Sequence, residues 1–304
     1  MQMTYVELDA PLDSGLTEHL ASVRERIEKR LNDLLPAGGN ERDLVAIAMR
    51  EGTLAPGKRV RPMLLMLAAD GLGHDSSAAL ELGCAVEMIH AASLVLDDMP
   101  CMDDARLRRG LPTVHLKFGQ DVAILAAVAL LSRAFGVVAG ISEVPPAVRT
   151  QLVGVLANAV GMQGLVRGQF QDLHDGLHSR DAEQIATTNR LKTGVLFSAI
   201  MDMASLVSGA DEGTRAGLQD FATELGQAFQ LYDDLQDKSA DNAKDQGKDE
   251  GKSTFVALYG EQKVTEQLRA HLKKADGHLM QAYGSEQIIG GYLRLIFQKA
   301  ATVR

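Results

Sequence analysis

Tryptophan is absent from this 304-residue chain, and Phe and Tyr together make up only 4% of it. Alternating runs of Val, Ile and Thr are missing too, so the sequence offers little from which to build strands. There are two cysteines, Cys84 and Cys101, too far apart for metal-type spacing and too few for a disulfide framework. A reducing, cytoplasmic setting is the expectation. An excess of positive charge is lacking as well: the net charge is -9 and the pI about 5.4. A broad nucleic-acid surface is therefore excluded. Residues Met1–Ala10 include Glu7 and Asp9 and show no basic start followed by an apolar run, so no signal peptide is expected. The longest apolar run, Val122–Ala139, is rich in Ala and interrupted by Ser132 and Arg133. It reads as a buried helix, not a membrane span. Internal repeats and Pro/Gly/Ser linkers are also missing, which leaves a single domain over residues 1–304.

What is present is helical periodicity. Apolar positions recur at three- and four-residue steps over Leu16–Leu35, Leu80–Asp98, Val122–Gly140, Ala147–Leu173, Asp181–Gly209, Thr214–Lys238 and Lys252–Tyr283. Pro62 sits where a first helical turn belongs, and Met63–Ala69 continues it. The expected fold is all-α, a helical bundle around a central cavity. The stretch Lys238–Lys252, KSADNAKDQGKDEGK, has little hydrophobic content and is expected to form a mobile charged loop that orders on ligand.

Two acidic clusters interrupt the pattern. SLVLDDMPCMDDARLRRG, residues 93–110, carries Asp97, Asp98, Asp103 and Asp104 with Arg106, Arg108 and Arg109 close behind. Like charges so close repel, so the segment is either a solvated turn or the seat of a cation. Pro100 forces a bend that can bring Asp103 back towards Asp97. In QAFQLYDDLQD, Asp233 and Asp237 fall on one helical face, with Asp234 beside them. Acids at a helix C-terminus oppose its dipole by about 0.3–1 kcal/mol each. An all-oxygen donor set favours hard ions, Mg²⁺ first and Mn²⁺ second. An EF-hand is excluded, because the first cluster lacks the required Gly and Glu.

Cations complete the pattern. GKRVRP places Lys58, Arg59 and Arg61 ahead of a helix whose free N–H groups favour anions. Lys192 and Thr193 stand in LKTG, and Lys244, Lys248 and Lys252 punctuate the charged loop. Carboxylates that hold Mg²⁺ beside Lys and Arg suit a polyphosphate.

These motifs resemble the trans-isoprenyl diphosphate synthases. DDMPCMDD with LRRG, and DDLQD much later, look like the two aspartate-rich motifs of that family. GKRVRP, EMIHAASLVLDD, GQFQDL, LKTG, GQAFQLYDD and GKST occur in its order and spacing, from about Glu51 to Gly260. Within the family, MREG, LAPGKR, AVALLSRAFG and GMQGLV are similar to bacterial geranylgeranyl diphosphate synthases of carotenoid pathways. The resemblance implies three Mg²⁺ per site, two held by Asp97 and Asp103 with Asp98 in support, and a third by Asp233 near Asp234 and Asp237. Asp104 is extra to the motif. Arg108, Lys192 and Lys252, aided by Lys244, would bind the allylic diphosphate. Lys58, Arg61, His90 and Arg109 would bind isopentenyl diphosphate, with Gly57 permitting close approach. Thr193 and Gln230 would face the reacting carbons, with Gln169 and Asp172 behind. A homodimer is implied as well.

In such chemistry diphosphate leaves an allylic carbon, the alkene of isopentenyl diphosphate attacks the cation, and a proton is lost. A helical turn rises 5.4 Å, about one isoprene unit. Ser93 and Ala92, four and five residues before Asp97, would line the channel one turn below the metals. In the family a large aromatic at the deeper position stops growth at fifteen carbons, so small Ala92 implies a twenty-carbon product. A farnesyl diphosphate synthase and a non-catalytic subunit of a heteromeric synthase are the alternatives. A class I cyclase fits poorly, because GKRVRP and His90 would have no second diphosphate to bind.

Overall fold

In the computed structural model, the described residues are 14–38, 42–74, 77–175, 181–236, 254–285 and 288–301. They form helices α1 (Ser14–Leu34), α2 (Leu44–Leu54), α3 (Val60–Gly71), α4 (Ser77–Asp97), α5 (Val114–Phe118), α6 (Gln120–Ala139) and α7 (Pro146–Val160). After these come α8 (Leu165–Asp175), α9 (Ala182–Asn189), α10 (Val195–Ser208), α11 (Glu212–Gln236), α12 (Phe255–Tyr259), α13 (Glu261–Tyr283) and α14 (Ile288–Ala301). The fold is all-α. Strand is confined, among the described residues, to a hairpin pairing Leu107 with Pro112 and Arg108 with Leu111.

Buried apolar side chains from α1 through α14 join into one core. α4 lies at its centre, packed against α1, α2, α3, α6 and α10. It is apolar nearly all round, as a helix enclosed by others must be. α11 packs against α10 and α13. The C-terminal ends of α4 and α11 therefore carry the two acidic clusters out of a dry interior.

Two expected helices are broken, and a third is continuous but locally widened. The Ala147–Leu173 run divides at Gly161–Gly164, where a Cβ on Gly164 would lie 2.0 Å from the Ala159 carbonyl oxygen. The Lys252–Tyr283 run divides at Gly260, whose φ is +80°. The Asp181–Gly209 run contains a π-turn, Arg190–Gly194, between α9 and α10. α2, α5 and α14 are additions, each too short or too mixed in pattern to stand out from sequence.

α4, α6 and the stretch Ala182–Ser208 are long and apolar enough to cross a membrane by length and composition. In α4, 67% of that apolar window is covered by the rest of the chain; in α6 only 44% is. The expected mobile loop at 238–252 lies outside the described residues.

Candidate active site

The chain reverses directly after α4. The Asp103 amide donates to the Asp97 carbonyl at 2.9 Å, and the Ala105 amide to that of Asp98 at 3.2 Å. Asp104, with φ 47°, takes the left-handed turn that completes the reversal. The bend expected at Pro100 thus does return Asp103 to Asp97. Asp98 points inward, 3% exposed, and accepts from the Arg108 guanidinium, with Nε at 3.0 Å. Burial raises its carboxyl, and Arg108 opposes that rise. Burial alone would lower Arg108, but the hydrogen bond to Asp98 and the charges of Asp98, Asp97 and Asp103 raise it.

Asp97 is pushed up to about 6 by burial; Lys192 and Arg108 pull it down, while Asp103 and Asp98 push it further up. The groups that perturb Asp97 are those a metal-bound diphosphate would need around it. Among the described residues, no three His, Cys, Asp or Glu side chains form a ready-made metal cage. A sparse, crowded, all-oxygen set fits Mg²⁺, which uses one or two carboxylates, keeps waters and takes further oxygens from a phosphate.

Lys192 lies in the π-turn, with Nζ 2.7 Å from Asp172 Oδ2. Two glycines clamp this turn. A Cβ on Gly168 of α8 would lie 2.5 Å from the Lys192 amide nitrogen, and one on Gly226 of α11 would lie 2.9 Å from Gly194 Cα. Thr193, between them, is half-buried. Gln169, next to Gly168, has both amide head atoms buried without a partner among the described residues. On α11, Asp233 is exposed, whereas Asp234 is buried. Asp234 accepts from Gln230 Nε2 at 2.9 Å and from the Phe255 amide at 3.1 Å. It ties the end of α11 to the start of α12, and it engages the amide of Gln230, the group expected to face the reacting carbons.

A second cluster, this one cationic, lies along α4 and α3. His90 is held well below its ordinary value, first by burial and then by Arg61, Arg109, Arg108 and Arg59, so it is neutral. Arg61 is lowered by burial, opposed by Glu87 and Asp233, and its Nε is buried with no partner among the described residues. A diphosphate oxygen is what such an orphaned donor lacks. Burial also lowers Arg109, with Glu87 opposing. A Cβ on Gly57 would lie 2.4 Å from an Arg109 guanidinium nitrogen, so this glycine makes room for Arg109. Lys58 is exposed, with Nζ 5.4 Å from the Tyr232 ring centroid.

Arg59 departs from the basic trio seen in the sequence. It is 3% exposed, has φ 51° and pairs with Glu28 and Glu87, both at 2.8 Å. Burial would lower it, but these two carboxylates together raise it. Glu87 is therefore a buried counter-charge behind the cationic cluster, and sequence reasoning missed it. The available signal was an acid in the middle of the apolar run Leu82–Ile89.

Residues 43–285 match the polyprenyl synthetase family. The chain belongs to that family. This synthetase is 57% identical over 260 residues to the geranylgeranyl diphosphate synthase of Pantoea ananas, covering 84% of this chain and 85% of that one. It is 48% identical over 288 residues to the enzyme of the same name from Pseudescherichia vulneris, covering 93% and 94%. The geranyltransferase of Helicobacter pylori, solved with magnesium and isoprenyl diphosphate, superposes with a TM-score of 0.82 at 26% identity, covering 95% of this chain and 99% of that one.

In the synthetase, Asp97 of the acidic cluster and His90, the residue on which the charges of Arg61 and Arg109 act, share one face of α4. His90, Ser93, Leu94 and Asp97 are half-buried at helical spacing, while Ala91, Ala92 and Val95 are buried. Ser93 thus belongs to the accessible stripe, one turn below Asp97. Ala92, the residue before it, is fully buried, so a large side chain there would have to displace its neighbours. Asp237, Lys244 and Lys252 lie outside the described residues.

Proposed function

We propose that this synthetase condenses isopentenyl diphosphate head-to-tail with dimethylallyl, geranyl or farnesyl diphosphate, giving geranylgeranyl diphosphate for carotenoid or related isoprenoid synthesis. One observation carries the reading: a single helix face presents an acidic rim at Asp97 and a metal-free cationic pocket at His90. Seven residues of helix separate them by about 10 Å. Two opposite environments at that distance suit two diphosphates bound differently, one through metal and one directly.

Three Mg²⁺, with Mn²⁺ as a substitute, would be held by Asp97, Asp103 and Asp233 and would neutralise the leaving diphosphate. Lys192, set by Asp172, contacts the same leaving group. Arg108 stays charged against Asp98 and guards the rim. Arg61, Arg109 and Lys58 hold isopentenyl diphosphate, and neutral His90 donates or accepts a hydrogen bond without adding repulsion. The apolar interior keeps water from the allylic cation. No protein base among these residues is placed to take the final proton, which suits its removal by the released diphosphate.

Two further parts of the reading concern assembly and place. α6 exposes Ile124 (45%), Leu125 (54%) and Val128 (57%) along one face, and we assign this face to a homodimer. Ser132 and Arg133 interrupt it, which suits a protein partner better than lipid. Sedimentation should give twice the chain mass; a monomer would remove the assignment. Two free thiols, one exposed at Cys101, suit the cytoplasm.

The test is product analysis with Mg²⁺, labelled isopentenyl diphosphate and each allylic primer in turn. Twenty-carbon diphosphate is expected. A stop at fifteen carbons would make the chain a farnesyl diphosphate synthase. No elongation would favour a non-catalytic subunit.

A further inference from the structure

The chain has only eight phenylalanines and five tyrosines. Four of these rings form a continuous circuit beneath the cationic pocket. Arg61 lies 5.2 Å from the centroid of Phe197 on α10. Phe197 stacks on Phe229 of α11 at 4.8 Å and 23°. Phe229 meets Phe297 of α14 at 4.9 Å and 61°, and Phe297 meets Tyr232 of α11 at 5.1 Å and 83°. Tyr232 in turn lies under Lys58 at 5.4 Å. The circuit begins and ends on GKRVRP, and Phe297, fully buried, is its keystone.

We propose that Phe297 is a positioning residue: through Phe229 and Tyr232 it holds Lys58 and Arg61 in place for the metal-free diphosphate. Lys and Arg have long, mobile stems, and ordering them on binding is unfavourable. A ring face carries partial negative charge, so it can seat a cation without neutralising it. That matters here, because a carboxylate in the same place would compete with the ligand. Arg59 illustrates the contrast: Glu28 and Glu87 offset its charge and hold it inside the protein, 3% exposed. Phe229 and Tyr232 sit one turn apart on one face of α11, and the Phe297 ring wedges against both. Without that ring each would be free to tilt, and the seats of both cations would shift.

The backbone of the same segment is fixed from outside. Tyr292, also on α14, donates to the Lys58 carbonyl at 3.4 Å, and Arg24 of α1 donates to that of Gly57 at 2.9 Å. α14 therefore governs the pocket twice, through one hydroxyl and one ring.

This inference rests on the assignment of Lys58 and Arg61 to isopentenyl diphosphate. Phe297→Leu in the full chain preserves apolar bulk and removes the ring; Tyr292→Phe removes only the hydroxyl. For Phe297→Leu the KM for isopentenyl diphosphate should rise roughly fivefold, with kcat and the KM for farnesyl diphosphate held within about twofold. Tyr292→Phe should move the same constant by less. Equal rises in both KM values with a fall in kcat would show general loosening and overturn the proposal, as would no change at all. Calorimetric titration of inorganic pyrophosphate into chelator-treated protein gives a readout independent of turnover. Weaker binding in Phe297→Leu upholds the proposal; binding equal to wild type, or absent in wild type, overturns it. Failure of the wild type to condense substrates would instead sink the proposed function, and the titration would still decide the role of Phe297.

Discussion

Arg59 and Glu87 allow a stability prediction worked directly from burial. Their side chains are 1% and 4% exposed and paired at 2.8 Å, while the other partner of Arg59, Glu28, is 35% exposed. Replacing Arg59 with Met leaves Glu28 able to turn to water, but strands Glu87 in the core. An uncompensated buried charge costs about 3–5 kcal/mol. Against a total folding stability of about 5–15 kcal/mol, that is a large fraction. Arg59→Met with Glu87→Leu removes both charges and should recover most of the loss, because a well-packed apolar pair often matches a buried ion pair. Urea titration followed by far-ultraviolet circular dichroism measures both variants. The single variant should unfold at much lower urea than the double. A single-variant loss below about 1 kcal/mol, or a double variant no better than the single, would refute the claim that Glu87 depends on Arg59 for its burial.

Other predictions follow from Asp97, Gly168 and Ala92. The folded-state value of Asp97, about 6, lies above its ordinary 3.8, so folding favours its protonated form. Metal-free protein should therefore lose stability as pH rises across that window, and saturating Mg²⁺ or Asp97→Asn should flatten the slope in thermal melts; a slope unchanged by both would reject this. Gly168→Ala would set a Cβ 2.5 Å from the Lys192 nitrogen and 2.7 Å from the Leu191 carbonyl carbon. It should lose about 1–3 kcal/mol and reduce turnover by displacing Lys192, and wild-type kinetics would show the π-turn to be yielding. Ala92→Tyr should shorten the product, and chromatography of a folded variant that still makes twenty carbons would remove Ala92 from the chain-length stop.

Much of this was legible from spacing, for local reasons. The return of Asp103 to Asp97 follows from one proline within a seven-residue span. The all-α fold follows from the scarcity of strand signals. What escaped depends on side chains meeting across helices. Glu28, Arg59 and Glu87 are 31 and 28 residues apart, and nothing in GKRVRP separates a buried arginine from its exposed neighbour Lys58. Gly57 is conspicuous in sequence, yet the atom it makes room for belongs to Arg109. The π-turn at 190–194 has ordinary helical composition, and only the clamping glycines at 168 and 226 reveal why a wider turn is needed there. Phe297 lies past the last motif, where periodicity alone gave no reason to look for function.

The placement of His90 and Asp97 on α4 has a consequence for how this scaffold can vary. A helix works as a ruler with a fixed increment, about 1.5 Å and 100° per residue. Inserting one residue between them would change the gap little, but would swing one group a quarter-turn out of the cavity. The distance between the two reacting partners is thus locked digitally, while the depth below Ser93 can change by graded side-chain volume. Selection acting on such a scaffold could alter how long a product grows far more readily than it could alter how two substrates meet.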